Sequence, residues 1–428
     1  MKSIQTAFRI LLKVEKEKAY ADKLLENLRG GSLVNLPFIT ELVNGTIRWQ
    51  LRLDWQIQNS IHKKINKLQT KLRIILRLGI YQLLFIESLE KEVIVNESVN
   101  LAKKELGSHW GNFVNAVLRN FEENTDYPKD VVRRISIEHS HPEWIVERWL
   151  SEFGELKTID LCKVDNERPK ITFRLNKTIF TEEQLFLELS RDFCKKTEIK
   201  DFYEVFTFRQ IKPFLIKGLA SIQNTSAGIP SILLDPQKGE RILDACCAPG
   251  GKLTHIAELS NCEAEIIGLD KFEAKQKLIN QNIKRLGLSN IALVAGNATE
   301  FSYKDKFDKI IADVPCSGLG VLNKRVDMRW KRKNEDVEKI TKVQSAILEN
   351  LAKNLKKGGV LVYCTCSIDS RENEEIVHKF LVKHPEFEIE SAKGKVPKEF
   401  LTEEGFVRTF QYQSNFDGSF AAKLVKTA

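Results

Sequence analysis

Apolar residues recur at helical spacing through the first 140 residues of the chain. The run IQTAFRILLKV at 4–14 places apolar side chains every three or four positions, and FITELVNGTIRWQLRLDWQI at 38–57 and LRIILRLGIYQLLFI at 72–86 repeat the pattern. The segment NTDYPKD at 124–130 is rich in turn-forming residues and closes this region. The pattern predicts an all-α bundle over residues 1–140.

The next part of the chain mixes helical and strand patterns. A helix is predicted in PEWIVERWLSEF at 142–153, a strand in KITFRLN at 170–176 and a further helix in TEEQLFLELSR at 181–191. We interpret residues 141–220 as a small α/β connector.

From residue 221 to residue 428, short apolar strands alternate with amphipathic helices. Strands are predicted at 241–247, 263–270, 290–297, 307–314 and 359–366, and helices at 251–260, 272–286 and 335–356. Strands that are apolar along most of their length are typical of a parallel sheet covered on both faces. Ligands of such sheets bind outside the carboxyl ends of the strands, so we expect the functional site there.

The first of these strands ends in DACCAPGGK, whose Gly250 and Gly251 allow a tight turn and a close approach of a ligand to the backbone. The spacing is neither that of a dinucleotide-binding GxGxxG nor that of a P-loop. Asp270 ends the second strand with a carboxylate that can accept hydrogen bonds from ribose hydroxyls. Together these features indicate a ligand with an adenosine half and no obligatory phosphate. S-adenosylmethionine fits, because its sulfonium cation favours the carboxylates of Asp244, Asp270 and Asp313.

The composition is that of a folded globular protein, with 42% hydrophobic and 29% charged residues among 428. The N-terminal stretch MKSIQTAFRILLKVEKEK mixes lysine and glutamate into its apolar residues, unlike a signal peptide. No stretch approaches the roughly 18 apolar residues that a membrane span needs. We therefore expect a cytoplasmic protein with no membrane partner. In that compartment the eight cysteines are expected to be free thiols, and their spacing predicts no metal site.

The formal net charge of +9 points mildly to a polyanionic partner. Six basic residues and no acid lie between Trp55 and Ile86, and six basic residues with one acid lie between Asn323 and Asn334. A run of charges is often only a solvated surface. Two such clusters in one basic chain favour RNA or DNA as the partner.

Two of the predicted strands lead into a cysteine followed by a serine. The fourth leads into ADVPCSG at 312–318, and the fifth ends in VYCTCSI at 362–368. Both pairs are expected at the carboxyl ends of the strands. Because side chains alternate along a strand, we expect Cys364 to point away from Cys366 and into the core.

The motifs DACCAPGGK, GLD, ADVPCSGLG and YCTCSI follow one another as they do in RNA cytosine-5 methyltransferases, which the chain resembles. The segments ELVNGTIRWQLRLDW, LRLGIYQLLF and FVNAVLRNF resemble the NusB antitermination factor. The combination is similar to the bacterial RsmB (Sun) type, which methylates a cytosine in 16S ribosomal RNA. The resemblance extends to DGSFAAKLVK at 417–426. It implies an all-α NusB-like RNA-binding bundle (1–140), the α/β connector, which would contact RNA (141–220), and a Rossmann-like class I methyltransferase domain (221–428).

The resemblance also implies roles for the catalytic residues. Carbon 5 of cytosine is a poor nucleophile, so a thiolate first adds at carbon 6. The resemblance assigns this attack to Cys366 and gives Cys316 the task of assisting product release. Asp313 would stabilise the activated ring as a general acid, and Lys252 would contact Asp313 or the cofactor. DNA cytosine-5 methyltransferases use a cysteine that follows proline as the nucleophile, so position alone leaves the two roles open.

The expected cofactor is S-adenosyl-L-methionine, held by the first loop and by residues at the ends of later strands. The expected cofactor-binding residues are Cys246, Cys247, Ala248, Pro249, Gly250, Gly251, Lys252, Asp270, Asn297 and Asp313. Cys247 stands where many relatives have alanine, and we interpret it as a packing residue. Asn297 stands where the family usually has aspartate at the adenine contact, which bears on cofactor affinity rather than on the type of reaction.

RNA contacts are predicted in the connector and in the basic loop VLNKRVDMRWKRK that follows Cys316. The predicted RNA-binding residues are Arg174, Asn176, Lys324, Arg325, Arg329 and Lys331. Trp330 of the same loop either stacks on a base or anchors the loop in the core. The expected partner is 16S ribosomal RNA, naked or in early assembly, and the chain is expected to act as a monomer.

Two other functions stay open on the sequence. One is a ribosome-assembly or transcription factor whose methyltransferase domain is inactive, although such a relic would be expected to have lost some of the site residues. The other is a DNA cytosine methyltransferase, which the TCS motif and the helical N-terminal region disfavour.

Overall fold

The computed structural model describes residues 2–28, 35–413 and 416–427. The chain divides into two compact units. The first consists of Met1–Glu167 with Leu322–Arg332, and the second of Arg168–Val321 with Lys333–Ala428.

The first unit is built from α-helices. Those before residue 168 are α1 (Lys2–Glu17), α2 (Ala21–Glu26), α3 (Leu36–Arg48), α4 (Gln50–Ser60), α5 (Thr70–Phe85), α6 (Lys91–Leu106), α7 (Ser108–Arg119), α8 (Val131–Glu138), α9 (Glu143–Phe153) and α10 (Glu155–Val164). The helical bundle predicted from the apolar spacing is present. Helices α9 and α10 lie beyond residue 140, where the bundle was predicted to end, and both belong to the first unit. The three-domain boundaries at 140 and 220 stay a prediction.

Close packing of α3 on α5 depends on a glycine. A side chain at Gly45 would overlap the ring of Tyr81, which is 2% exposed in the core of this unit. The Tyr81 hydroxyl donates to Glu41 Oε1 at 2.5 Å, so its polar tip has a partner at the interface of the two helices. The absence of a side chain at Gly45 therefore makes room for the ring of Tyr81.

The first basic cluster of the sequence is partly neutralised by acids from distant positions. Arg77 is 6% exposed and donates from Nε and Nη2 to both oxygens of Asp54 at 2.6 Å, and from Nη1 to Glu15 at 3.0 Å. Arg73 also pairs with Glu15, and Lys71 pairs with Glu105 at 3.0 Å. Half of the cluster thus stabilises the bundle instead of presenting free charge.

From residue 168 onward the elements alternate between strands and helices. They are β1 (Ile171–Leu175), α11 (Glu182–Glu188), β2 (Cys194–Lys196), β3 (Phe202–Val205), α12 (Phe208–Ile216), β4 (Ala220–Ile222), α13 (Thr225–Leu234), β5 (Arg241–Asp244), α14 (Gly251–Leu259), β6 (Glu265–Asp270), α15 (Gln276–Leu286), β7 (Ile291–Ala295), β8 (Phe307–Asp313), α16 (Met328–Lys331), α17 (Asn334–Asn354), β9 (Leu355–Thr365), α18 (Glu374–Lys383), β10 (Phe387–Ile389), β11 (Val407–Thr409) and β12 (Ser419–Lys426). Only α16 belongs to the first unit.

The connector predicted from the sequence contains a four-stranded antiparallel sheet. Its strand order is β2-β3-β1-β4, with α11 and α12 in the intervening segments. Its core includes Phe173, Leu185 and Tyr203. The mixed α/β character expected of this region is therefore present.

The second sheet has the strand order β10-β12-β9-β8-β5-β6-β7, with β11 paired to β12. The five strands predicted from the apolar runs, β5 to β9, are parallel to one another. Strand β12 adds to the edge of β9 in the antiparallel direction, and β10 and β11 pair antiparallel with β12. The sheet is therefore mixed, and its antiparallel end was not predicted from the sequence.

Candidate active site

The order of the parallel strands locates the site. Strand β5 lies between β6 and β8, because the chain runs outward through β6 and β7 and then returns to the other side of β5. Such a reversal opens a crevice at the carboxyl ends of the strands, where α/β sheets bind ligands. Asp244, Asp270 and Asp313 are the last residues of β5, β6 and β8. The three carboxylates named from the sequence thus lie at the carboxyl ends of neighbouring strands of one sheet.

The loop from β5 to α14 is shaped by Gly250. This residue has a φ of 101°, a conformation that side chains other than glycine rarely adopt, and its N–H donates to the Cys247 carbonyl at 2.6 Å. Cys247 is 4% exposed and belongs to the hydrophobic core of the second unit, as expected of a packing residue. The loop therefore turns tightly at the head of the crevice.

Asp270 ties this loop to the end of β6. Its Oδ2 accepts from the Ala248 N–H at 3.3 Å, its Oδ1 accepts from the Phe272 N–H at 2.9 Å, and Lys275 Nζ lies 3.4 Å from Oδ1. The residue is 7% exposed. The carboxylate is held by backbone donors on both sides, so its orientation is fixed before any ligand binds.

Asp244 differs from Asp270 because one of its oxygens has no partner. The residue is fully buried, and Oδ2 makes no hydrogen bond in the described part of the chain. Burial, with the charge of Asp313 adding to it, raises the pKa of Asp244 to about 7. Buried polar atoms are rarely left unpaired. An unpaired carboxylate oxygen fits a cationic or hydrogen-bond-donating ligand, which is what the amino and sulfonium groups of S-adenosylmethionine supply.

Asn297 follows β7 and shapes the next turn. Its side-chain oxygen accepts from the Thr299 N–H at 3.3 Å, and its carbonyl accepts from Glu300 and Phe301. The asparagine therefore performs the local capping that an aspartate can also perform.

Lys252, near the start of α14, reaches across to the end of β8. Its Nζ donates to Asp313 Oδ2 at 2.7 Å, which confirms the predicted contact. Burial lowers the pKa of Lys252, but the charges of Asp313 and of Cys364 and the hydrogen bond to Asp313 outweigh it, and the pKa is raised overall. The lysine is therefore a cation at neutral pH. Cys364 lies beside the pair, with its Sγ 3.8 Å from Asp313 Oδ1.

The two Cys-Ser motifs meet at the ends of β8 and β9. The register of these parallel strands pairs Asp313 with Cys364, so the segments beyond them run side by side. Cys316 Sγ lies 2.9 Å from Cys366 Sγ, and the Cys366 N–H donates to Cys316 Sγ at 3.3 Å. The two sulfurs therefore form one centre.

Cys364 is 1% exposed, as predicted. The reason given for that prediction was wrong, because residues two apart on a strand share a face. Cys364 and Cys366 are separated instead because β9 ends at Thr365.

The surroundings of Cys316 favour its thiol form. The hydrogen bond with Cys366 raises its pKa well above the usual range, and burial together with the charges of Glu372 and Asp313 raises it further. At neutral pH Cys316 is therefore a thiol.

The sequence analysis did not single out Glu372, which touches both cysteine loops. Its carboxylate accepts from the hydroxyls of Ser317 and Ser367, the residues that follow the two cysteines. No local signal pointed to Glu372, because one of its serine partners, Ser317, lies 55 residues before it.

The structure opposes the RNA contacts predicted for Arg174 and Asn176 in the connector. Arg174 is 1% exposed, and its guanidinium donates to both oxygens of Glu258 at 2.7 and 2.8 Å, to the Gly251 carbonyl, to Thr254 and to Gln223. Asn176 is fully buried and donates to the carbonyls of two other segments. Both side chains are used inside the second unit, so neither is free to bind a phosphate.

The basic loop is also used mainly for packing. Arg329 is fully buried and donates to Ser140 O, Asn166 Oδ1 and Asp165 O at 2.8 to 3.2 Å, so its predicted RNA contact is wrong. Trp330 donates to the Ile47 carbonyl at 2.7 Å and packs on the core of the first unit.

Lys331 is partly buried, and its ammonium group is engaged within the first unit. It donates to Asp327 and to the Ala19 carbonyl at 2.8 Å and lies 3.7 Å from the Tyr20 ring centre. These contacts oppose its predicted role in RNA binding. Lys324 and Arg325 are exposed, and for them RNA contact stays a prediction.

Each of the eight cysteines, all of which lie in the described ranges, is free of disulfide bonds. Among the helices of residues 2–28, 35–413 and 416–427, none is long and apolar enough to cross a membrane.

Three family models match the chain. The model described as "16S rRNA methyltransferase RsmB/F" matches residues 231–425, the "NusB family" matches residues 1–123, and the "Methyltr_RsmF/B-like, ferredoxin-like domain" matches residues 141–209.

Full-length relatives agree with these matches. A protein of Bacillus subtilis (strain 168) named "Probable ribosomal RNA small subunit methyltransferase B" is 33% identical over 439 residues, covering 98% of this chain and 98% of that protein. One of the same name from Synechocystis sp. (strain ATCC 27184 / PCC 6803 / Kazusa) is 30% identical over 441 residues, covering 99% of each. A solved structure titled "Crystal Structure of PH0851" has a TM-score of 0.80 at 24% identity, covering 99% of this chain and 97% of that one, and supports the fold.

The mixed sheet, its carboxylate-lined crevice and these matches define an S-adenosylmethionine-dependent methyltransferase that acts on ribosomal RNA. More narrowly, the chain belongs to the family of ribosomal RNA small subunit methyltransferase B, with a NusB N-terminal domain, a ferredoxin-like connector and a Rossmann-like methyltransferase domain. The family, the fold class and the cofactor predicted from the sequence are thereby confirmed.

Proposed function

We propose that the chain transfers a methyl group from S-adenosylmethionine to carbon 5 of a specific cytidine in 16S ribosomal RNA through a covalent adduct with Cys366. The observation that carries this proposal is the pair of sulfurs at the ends of β8 and β9, 2.9 Å apart. Methyl transfer to a nitrogen or an oxygen needs no thiol nucleophile. A reaction at carbon 5 of cytosine needs one at carbon 6.

The chemistry divides one difficult step into two easier ones. Cys366 Sγ attacks carbon 6, and the electrons of the 5,6 double bond make carbon 5 nucleophilic. Bound S-adenosylmethionine would supply the methyl group that carbon 5 takes and would be left as S-adenosylhomocysteine. Transfer of the carbon 5 proton to a base or to water, with cleavage of the bond between Cys366 Sγ and carbon 6, then restores the double bond and the free thiolate.

The protonation state of Cys316 supports the roles assigned to the two cysteines. The raised pKa of Cys316 keeps it a neutral thiol beside the attacking sulfur. A thiol at 2.9 Å can stabilise the Cys366 thiolate by donating a hydrogen bond before attack. It is also within reach of the adduct when the bond to carbon 6 must break, so Cys316 is assigned to product release.

Asp313 and Lys252 are assigned to the activated ring. As Cys366 adds to carbon 6, negative charge accumulates toward N3 of the cytosine, and a carboxyl group there stabilises it. At rest Asp313 Oδ2 accepts a hydrogen bond from Lys252 Nζ at 2.7 Å. The general-acid role therefore requires that the proton pass from Lys252 to Asp313 as the base binds.

The cofactor is assigned to the crevice at the ends of β5, β6 and β7. The unpaired Asp244 Oδ2 supports a cationic ligand there, and Asp270 supports binding of ribose hydroxyls. The other residues proposed to line the cofactor site are Cys246, Cys247, Ala248, Pro249, Gly250, Gly251, Lys252, Asn297 and Asp313.

The RNA is proposed to be naked or in an early stage of assembly, and the chain to act as a monomer in the cytoplasm. The target base must be unpaired or flipped out of its stack to meet a partly buried pair of sulfurs. Lys324 and Arg325 are the residues of the basic loop that stay proposed as phosphate contacts.

The proposal is tested by identifying the product. Unmodified 16S RNA is incubated with wild type and labelled S-adenosylmethionine, digested to nucleosides and analysed by mass spectrometry. The label is expected in 5-methylcytidine at one position. Label in another nucleoside would contradict the carbon 5 assignment. RNA binding by wild type without any label would favour an inactive assembly factor instead.

A further inference from the structure

The residues next to the two sulfurs form a second contact beneath them. Ser317 and Ser367 are both fully buried, and their hydroxyl oxygens lie 3.1 Å apart. Each serine directly follows one cysteine of the pair. A shift of either serine is therefore transmitted to the neighbouring sulfur through one peptide bond.

Glu372 accepts hydrogen bonds from both loops at once. Its Oε2 accepts from Ser317 Oγ at 2.5 Å and from Ser367 Oγ at 2.6 Å. Its Oε1 accepts from the Ser317 N–H at 2.7 Å and from Gln344 Nε2 at 3.2 Å. Glu372 is itself fully buried. A buried carboxylate with four donors is satisfied, and hydrogen bonds to a charged acceptor are about twice as strong as neutral ones.

The position of Glu372 is itself fixed on β9. Its carbonyl accepts from the Tyr363 hydroxyl at 2.5 Å. The adjacent Asn373 accepts from Thr365 Oγ1 at 2.6 Å and donates to the Ser367 carbonyl at 3.0 Å. The acceptor that joins the two loops is therefore anchored to the strand that carries one of them.

We infer that Glu372 is a positioning residue that sets the distance between Cys316 and Cys366 by holding the two serines that follow them. The consequence for the reaction rests on the proposed function. Cys366 must meet carbon 6 while Cys316 stays within reach of the same adduct. Two loops that moved independently could form the adduct without releasing it.

The inference predicts a different defect for the loss of each serine hydroxyl. Loss of the Ser317 hydroxyl loosens the loop of Cys316, which only the Ser317 N–H then ties to Glu372, so release is expected to slow and the covalent adduct to accumulate. Loss of the Ser367 hydroxyl frees the loop of Cys366, so formation of the adduct is expected to slow. A purely structural contact would make both variants fail in the same way.

The first experiment uses the rate of disulfide formation as a measure of how close the two sulfurs lie, without RNA or cofactor. Diamide, an azo oxidant, takes one hydrogen from each thiol and becomes the hydrazine as the two sulfurs bond. The rate at which the peptides of Cys316 and Cys366 become linked is followed by mass spectrometry. The variants are Ser317→Ala, Ser367→Ala and the double variant. Ser231→Ala is the matched control, because Ser231 is fully buried in α13 and its hydroxyl has no hydrogen-bond partner among the described residues.

The linking rate is expected to fall about tenfold in the double variant, which loses both hydroxyl hydrogen bonds to Glu372, and less in each single variant. The control is expected to link at the wild-type rate. Equal rates in wild type and the double variant, with both folded by circular dichroism, would overturn the inference.

The second experiment follows the labelled adduct on denaturing gels. Ser317→Ala is expected to accumulate more adduct than wild type, and Ser367→Ala to form it more slowly. Identical loss of both steps in the two variants would also overturn the inference. If the linking rates fall as expected but wild type makes no 5-methylcytidine, the proposed function fails while the control of sulfur spacing by Glu372 stands.

Discussion

Two buried carboxyl groups near the carboxyl ends of the strands differ in how completely they are hydrogen-bonded. This difference matches their different roles in the site. Glu372, on the cysteine side, has four hydrogen-bond donors within 3.2 Å. Asp244, on the cofactor side, has one oxygen that no donor reaches in the described part of the chain. Both groups are fully buried, and burial raises the pKa of each. A satisfied carboxylate stabilises the loops around it, whereas an unsatisfied one costs free energy that a ligand can recover.

The largest effect is expected on the satisfied side. Glu372→Gln keeps the volume but replaces the charged acceptor, and one oxygen becomes an amide that cannot accept. We expect the free energy of unfolding to fall by about 3 kcal/mol, as when a buried hydrogen-bonded charge loses its partners. Chemical denaturation measures this loss. S-adenosylmethionine affinity, measured by calorimetry, is expected to stay within about twofold of wild type, because Glu372 does not belong to the proposed cofactor site. A Glu372→Gln variant as stable as wild type would contradict the stated difference between Glu372 and Asp244.

The substitution Asp244→Asn is expected to have the opposite pair of effects. It removes the charge proposed to meet the cofactor, so S-adenosylmethionine affinity is expected to fall about tenfold to a hundredfold. The ligand-free protein is expected to gain about 1 kcal/mol of stability at pH 8, because an unpaired buried charge is lost. Calorimetry and thermal unfolding of the same preparation give both values. A variant that loses stability while keeping its affinity would show that Asp244 is structural.

The raised pKa of Asp244 also predicts a pH dependence. Between its ordinary value of 3.8 and its folded value of about 7, the folded chain holds a proton on this carboxyl that the unfolded chain has lost. The contribution to stability is therefore fully present below about pH 4. It falls by up to about 1.4 kcal/mol per pH unit as the pH rises toward 7.

This slope is expected to be absent in Asp244→Asn, so denaturation series from pH 5 to pH 8 should diverge between the variant and wild type. Over the same range the affinity of wild type for the cationic cofactor is expected to rise. Parallel stability profiles in the two proteins would mean that Asp244 does not titrate as stated.

The smallest effect concerns the weakest of the four donors to Glu372. Gln344 donates to Glu372 Oε1 at 3.2 Å and to the Pro315 carbonyl at 3.0 Å. Gln344→Leu removes both hydrogen bonds but also the buried Gln344 Oε1, which has no partner among the described residues, so the net cost is expected to be about 1 kcal/mol. Denaturation again measures the change. A loss as large as that of Glu372→Gln would show that Gln344, not the serines, holds the carboxylate.

Much of the crevice could be predicted because it depends on where strands end. Asp244, Asp270 and Asp313 end apolar runs that are visible in the sequence, and parallel strands bring such ends to one side of a sheet. The meeting of Cys316 with Cys366 follows from the pairing of β8 with β9. The same motifs carried the family resemblance that the comparisons confirm.

The remaining features depend on partners that are distant along the chain. Arg174 forms an ion pair with Glu258, 84 residues away, and Arg329 donates to acceptors 163 to 189 residues away. Local charge density could not reveal these partners. Glu372 was missed for the same reason, since one of its serines lies 55 residues before it. Strand β12 was missed because it forms by antiparallel pairing with the free edge of β9, and that edge is not visible in the sequence of β12 itself.

The central claim is that Cys366 attacks the base and Cys316 helps to release it. The most direct test incubates wild type, Cys366→Ala and Cys316→Ala with unmodified 16S RNA and labelled S-adenosylmethionine, followed by denaturing gels and mapping of the label. Cys316→Ala is expected to accumulate a covalent protein–RNA adduct, and Cys366→Ala to form neither adduct nor methylated RNA. Formation of 5-methylcytidine by Cys366→Ala would contradict the account.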